Sequence, residues 1–261
     1  MRKASIRLAL LGLAVATLGL PAVAGAAPAV TLKVKAVPIP KNPSSNGGPT
    51  WPGTGNIFGA GTAVEAEFTI TGTEYFGSTS PLTGVTFYSP PGSKVTTKGF
   101  TTCSSTILES HEVQKCPKKS VAGPKGSATG QVSFGSTRVH ETLSVQPFFE
   151  SGEKLAFYAE GTSPALIELL SAGNFSAPAG GFGPVLTTEV PLVISVPGAP
   201  YGSVETIKVK VGAAFKQGKK LVSYATLPKK CAKGGFPVKA ELKFLSGEAV
   251  TVSVKAPCPK K

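Results

Sequence analysis

Apolar residues recur at every second position through much of this chain. Val30, Leu32 and Val34 alternate with Thr31, Lys33 and Lys35, and Val64, Ala66, Phe68 and Ile70 alternate with Glu65, Glu67 and Thr69. The same pattern returns at Ile207, Val209 and Val211 around Lys208 and Lys210. It returns again at Val238, Ala240, Leu242 and Phe244, and at Val250, Val252 and Val254. A period of two gives each segment one buried and one wet face, as in antiparallel sheets packed on a core. The chain is therefore expected to be all-β, an antiparallel β-sandwich with little or no helix beyond the N-terminal leader.

Between these runs lie the 31 Gly and 23 Pro that punctuate short strands and spoil helices. Residues 163 to 172 have helix signals, with Ser163 as a cap, Pro164 in the first turn and Gly173 as a stop. Leu166, Glu168 and Leu170 fit a strand equally, and the β neighbours favour the strand. Residues 37 to 62 and 173 to 184 are dense in Pro, Gly and Ser and are expected to be surface loops. The adjacent ring pairs Phe87-Tyr88, Phe148-Phe149 and Phe157-Tyr158 each place one ring in the core on strand alternation.

The first residues read as a secretory leader. Arg2, Lys3 and Arg7 precede an apolar run from Leu8 to Leu20, broken by Pro21, and Ala24-Gly25-Ala26 is a small-x-small cleavage site. A spanning helix needs about 20 apolar residues, so the run is expected to be cleaved, leaving no transmembrane segment in the mature chain. The expected organisation is a signal peptide over 1–26, a first β-sandwich half over 27–152 and a second, Lys-rich half over 153–261.

Export suits the four cysteines, which allow three pairings. Cys103–Cys116 with Cys231–Cys258 is expected, because each pair sits in its own β-rich region. A Cys₄ zinc site lacks the close C-x₂₋₄-C pair it usually needs.

All 14 acidic residues are Glu, and only His111, His140 and, beyond the leader, Arg138 add to the chemical inventory. Triads with Asp, aspartyl dyads, Asp-rich calcium loops and His clusters for zinc are short of raw material. No phosphate loop, dinucleotide fingerprint, G-x-S-x-G elbow or H-E-x-x-H occurs, so no catalytic residue, cofactor or metal is expected. The dipeptides His111-Glu112 and His140-Glu141 read as surface polar pairs. A glycoside hydrolase with a Glu pair stays open as an alternative.

Charge is the strongest functional hint. The formal net charge is +13, and residues 201 to 261 hold 13 Lys against three Glu, a local excess of +10. Lys208, Lys210, Lys219, Lys220, Lys229, Lys230, Lys239 and Lys243 are the expected contacts for an anionic envelope polymer or membrane surface. The same lysines equally serve solubility and the guarding of sheet edges. With one Arg beyond the leader, sequence-specific nucleic-acid reading is not expected. A carbohydrate-binding module is the other alternative, with Trp51 the leading aromatic for stacking on a glycan and Tyr75, Tyr88 and Tyr201 behind it.

The run Cys116-Pro117-Lys118-Lys119-Ser120-Val121-Ala122-Gly123, the segment Val196-Pro197-Gly198-Ala199-Pro200, and the Pro-flanked Leu227-Pro228-Lys229-Lys230-Cys231 and Ala256-Pro257-Cys258 carry a resemblance. The chain resembles exported all-β proteins of uncharacterised function from soil actinobacteria and their relatives. The resemblance implies a β-sandwich and export, and carries no catalytic residue across. The expected role is that of a secreted or cell-wall-associated, non-enzymatic structural or adhesive protein.

Overall fold

A computed structural model describes residues 26–39 and 59–259. The expected leader up to residue 25, most of the 37–62 loop, Trp51 and the last two lysines lie outside the described residues. The strands are β1 (Ala29–Val37), β2 (Gly61–Thr71), β3 (Leu82–Tyr88), β4 (Lys94–Val95), β5 (Gly126–Phe134), β6 (Thr137–Glu150), β7 (Lys154–Gly161) and β8 (Ile167–Ser176). They continue with β9 (Val185–Glu189), β10 (Ser203–Val211), β11 (Ala214–Gln217), β12 (Lys220–Ser223), β13 (Ala225–Thr226), β14 (Phe236–Phe244) and β15 (Ala249–Ala256). One short helix, α1 (Ser105–Glu109), is capped by the Ser104 hydroxyl, which accepts from the Ile107 amide. Of the 163–172 segment, residues from Ile167 on become strand, as the neighbours suggest, while 163–166 form a turn; the loop expected from 173 begins only after β8 ends at Ser176.

The fold is all-β, antiparallel and sandwich-like, and its layers belong to one 13-stranded sheet. The ladders run β15-β14-β3-β9-β8-β7-β6-β5-β10-β2, with β1 also on β2 and the short β13 and β4 beyond. β1 and β15, at the two ends of this order, come close together. The sheet therefore rolls into a flattened barrel, although no ladder joins β1 to β15 among the described residues. Strands from the two expected halves interleave: β10 sits between β2 and β5, and β3 sits between β14 and β9. The boundary near residue 152 is the tight turn between β6 and β7, which pair directly.

Rolling a sheet this far needs sharp corners. Gly126 and Gly130 on β5 mark one, because a Cβ at either would collide with the carbonyl oxygen of Lys208 or Ser203 on β10. A shift in β10 register between Val204 and Thr206 lies at the same corner. Pro147 has no amide hydrogen to give a ladder, and it lies beyond the last β5 partner of β6, Val145.

The antiparallel order sorts the connections to two ends. One end, here the mouth, carries the segments 72–81, 135–136, 162–166, 190–202 and 245–248. The other, here the base, carries the disulfide-linked segments and the β11–β12 hairpin. Cys103–Cys116 and Cys231–Cys258 are both formed, as expected. The first staples α1 and its following turns over the outer face of β6 and β7, where they cover Phe148, Ala156 and Tyr158. Two of the ring pairs thus depart from simple alternation: both Phe148 and Phe149 are buried, and Tyr158 points outward yet is covered by the staple.

Candidate functional site: an apolar cavity inside the barrel

The inward faces around the barrel are mostly apolar, but they do not fill it evenly. On the side of β1, β2, β14 and β15, the side chains Leu32, Phe68, Val238, Ala240 and Leu242 pack into a dense core. On the side of β5 to β9 the inward residues are Ala128 on β5, Leu143 on β6, Phe157 and Ala159 on β7, Leu169 on β8 and Leu186 on β9; these leave empty space that Phe68 on β2, Phe87 on β3 and Ile207 on β10 close from the opposite side. The resulting cavity measures about 230 Å³. An apolar cavity of roughly 150 Å³ stays dry and takes up benzene in a well-studied case, so this one has room for a larger body.

The base is plugged by aromatic rings. Phe100 packs on Phe149 at 4.5 Å between centroids and on Phe215 at 4.8 Å, and Phe149 and Phe175 both reach Tyr224. Tyr224 lines the cavity floor, and burial alone pushes its hydroxyl pKa far up, keeping the phenol neutral.

The mouth is crossed by the 190–202 segment. β9 and β10 stand on opposite sides of the ring of strands, so this connection spans the opening. Its Val190, Leu192 and Val193 line the cavity from above. The strap is held by the Gly202 amide donating to the Val193 carbonyl at 2.9 Å and by the Ser195 hydroxyl donating to the Ser133 carbonyl. Leu192 and Ile194 are also exposed on the outside, and so are Phe76, Phe134, Leu166 and Leu245. Those six are the large apolar side chains exposed among the described residues, and all belong to the mouth end.

One acidic side chain is built into this lining. Glu141 is an inward position of β6, between Val139 and Leu143, and is 1% exposed. Its Oε2 accepts a hydrogen bond from the Ala165 amide at 3.0 Å, while Oε1 has no partner among the described residues. The surface reading of His140-Glu141 is thus corrected: adjacent strand residues face opposite ways. His140 points out, 3.3 Å from Glu205, and Glu141 points in. His111 sits 3.5 Å from Glu168 outside β8, and Glu112 pairs instead with Lys115. No second carboxyl joins Glu141 on the cavity lining, so this site does not assemble a glycosidase pair.

The expected lysines divide into two sets. Lys208 and Lys210 lie on the wall, 3.7 Å from Glu67 and 2.8 Å from Glu65 on β2. Lys239 bonds Glu241 at 2.7 Å and lies 3.7 Å over the Tyr88 ring, with Lys243 exposed four residues further along β14. Lys208, Lys210 and Lys239 thus face carboxylates that hold their charge locally. Lys219, Lys220, Lys229 and Lys230 are exposed at the base end. The ring faces proposed for glycan stacking are engaged by the protein: Tyr88 by Lys239 and Phe182, Tyr75 by Arg138. The Tyr75 hydroxyl also accepts from the Tyr201 amide.

The cavity was not read from the sequence, because its lining residues alternate just as core residues do. Glu141 alone carried a signal, as a carboxyl at an inward position of an otherwise apolar strand face.

No helix among the described residues is long and apolar enough to cross a membrane. No protein-family model, curated protein or solved structure matches this chain.

Proposed function

We propose that this protein is an exported, non-catalytic binding protein for a small apolar molecule held inside the barrel. The observation that carries the reading is the cavity of about 230 Å³, lined almost wholly by aliphatic and aromatic side chains. A folded interior is ordinarily close-packed, and leaving space here forgoes dispersion contacts and burial. A ligand restores both. Apolar binding sites with few polar groups are the common form of small-molecule pocket.

The remaining features support the same reading. The exposed apolar side chains at the mouth give a ligand with low water solubility a surface to meet first. The strap from residue 190 to 202 is loop rather than ladder, so it can shift to admit a ligand without breaking the sheet. Two disulfides and the leader fit an oxidising, exported setting.

Native mass spectrometry of the purified protein with linear alkanols of increasing length tests this. A one-to-one adduct that strengthens with chain length and then reaches a plateau is expected. A spectrum without adducts at any length contradicts it.

A second reading, contact with anionic envelope polymer or a membrane surface, is favoured by one observation. Lys219, Lys220, Lys229 and Lys230 are all exposed at the base end, away from the mouth. These charges would hold the protein at the envelope while the mouth exchanges ligand. Co-sedimentation with isolated envelopes at low and high salt tests it: salt-sensitive retention supports the reading, and no retention at either salt removes it.

A further inference from the structure

We propose that Glu141 anchors the polar end of the bound molecule, which is therefore an apolar body carrying one hydrogen-bond donor, a hydroxyl or an amine. The inference rests on the cavity being the ligand site.

Strand alternation brings Glu141 inward in place of an aliphatic residue, between Val139 and Leu143. Its carboxyl lies below the 162–166 turn, near the mouth, where the Ala165 amide occupies only Oε2. Pinning that turn requires one acceptor, and a carboxyl supplies two. Oε1 is left without a partner. The adjacent backbone leaves room for it: a Cβ at Gly161 would lie 2.8 Å from Oε1. A buried acceptor without a donor is costly, and its residue is one of those that line the cavity.

Two other polar groups on the lining are already engaged. The Thr188 hydroxyl donates to the Val85 carbonyl at 3.2 Å, and the Ser203 hydroxyl donates to the Thr79 carbonyl at 2.6 Å. Glu141 is the acceptor that a ligand's polar end can complete. Its position near the mouth orients the ligand with its apolar body toward Tyr224. A fatty acid is disfavoured, because two carboxyl groups would meet at the same point.

The test compares decan-1-ol, decylamine, decanoic acid and decyl methyl ether, which share a chain and differ in the donor. Calorimetric titration is run on the wild-type protein and on Glu141→Gln and Glu141→Leu. The wild type is expected to bind decanol or decylamine at least about tenfold more tightly than the ether, with the acid weakest. Glu141→Leu is expected to bind the ether undiminished and to lose the preference. Glu141→Gln, which keeps an acceptor without the charge, should retain preference for the alcohol and lose any advantage of the amine. Whether alcohol or amine leads in the wild type identifies the donor. Equal binding of alcohol, amine and ether by the wild type overturns the role of Glu141 and leaves the cavity reading in place. Binding of none of the four overturns the cavity reading itself, and the anchor with it. The wild-type series decides the matter even if Glu141→Leu does not fold.

Discussion

Lys210 Nζ lies 2.8 Å from Glu65 Oε2, across the ladder that joins β10 to β2. The same ladder sets Lys208 opposite Glu67, and on the other side β1 brings Lys33 and Lys35 opposite Glu67 and Glu65. Two glutamates are thus flanked by four lysines. Apparent excess charge along the sequence is partly cancelled in space by residues far away in the chain.

This arrangement predicts an acid-sensitive wall. The hydrogen bond from Lys210 holds the Glu65 carboxyl below its ordinary value of 4.5, and Lys239 does the same to Glu241. A depressed carboxylate pKa stabilises the fold above the unfolded value, and that stabilisation disappears as pH falls through the folded one. The melting temperature is therefore expected to hold from pH 7 to about pH 4.5 and to fall below it. Each pair is half-buried at the surface and screened by solvent, so its share is about 1 kcal/mol. A Glu65→Gln/Glu241→Gln variant should show a shallower acid decline, measured by thermal melts across the same range. An unchanged acid slope would show that these pairs do not contribute.

The lysines at the base should dominate any attraction to anionic surfaces. Replacing Lys219, Lys220, Lys229 and Lys230 by Gln is expected to abolish low-salt binding to vesicles rich in anionic lipid. Replacing Lys208, Lys210, Lys239 and Lys243 should leave most of it. Equal losses from the two sets would show that net charge alone governs the attraction, since both remove four charges.

Removing the disulfides should cost different amounts. Cys103 and Cys116 are 13 residues apart and Cys231 and Cys258 are 27 apart. Loop-closure entropy predicts losses of about 3 and about 3.5 kcal/mol on paired Cys→Ala replacement. Urea unfolding measures both. The first variant should also speed amide exchange beneath α1, because the stapled segment covers Ala156 and Tyr158. An unchanged midpoint in either variant contradicts the corresponding estimate.

Much of the fold is legible in the sequence. Strands β1, β2, β10, β14 and β15 announce themselves by alternation, since a half-buried strand writes its two faces into successive residues. The disulfide pairing is legible from the separation of the cysteines into two regions. The interleaving of the two halves is not, because antiparallel ladders set no limit on how far apart in the chain the partners lie. Nor is the cavity. Phe157, Leu169 and Leu186 obey the same alternation whether their neighbours fill the space beyond them or leave it empty. The packed half and the hollow half of the barrel look alike in one dimension. Glu141 is the exception, and alternation with Val139, Leu143 and Val145 marks it as inward. Reading His140-Glu141 as a unit hid that, because the two residues serve opposite faces.

The cavity is the central claim, and a volume change within it tests that most directly. Ala159 lines the cavity on β7. Ala159→Phe places a ring in the empty space. The measurement is fluorescence titration of both proteins with N-phenyl-1-naphthylamine, alongside a thermal melt to verify folding. The account predicts saturable one-to-one enhancement in the wild type and its loss in a folded Ala159→Phe variant. No enhancement in the wild type, or equal enhancement in both, would contradict a ligand site inside the barrel.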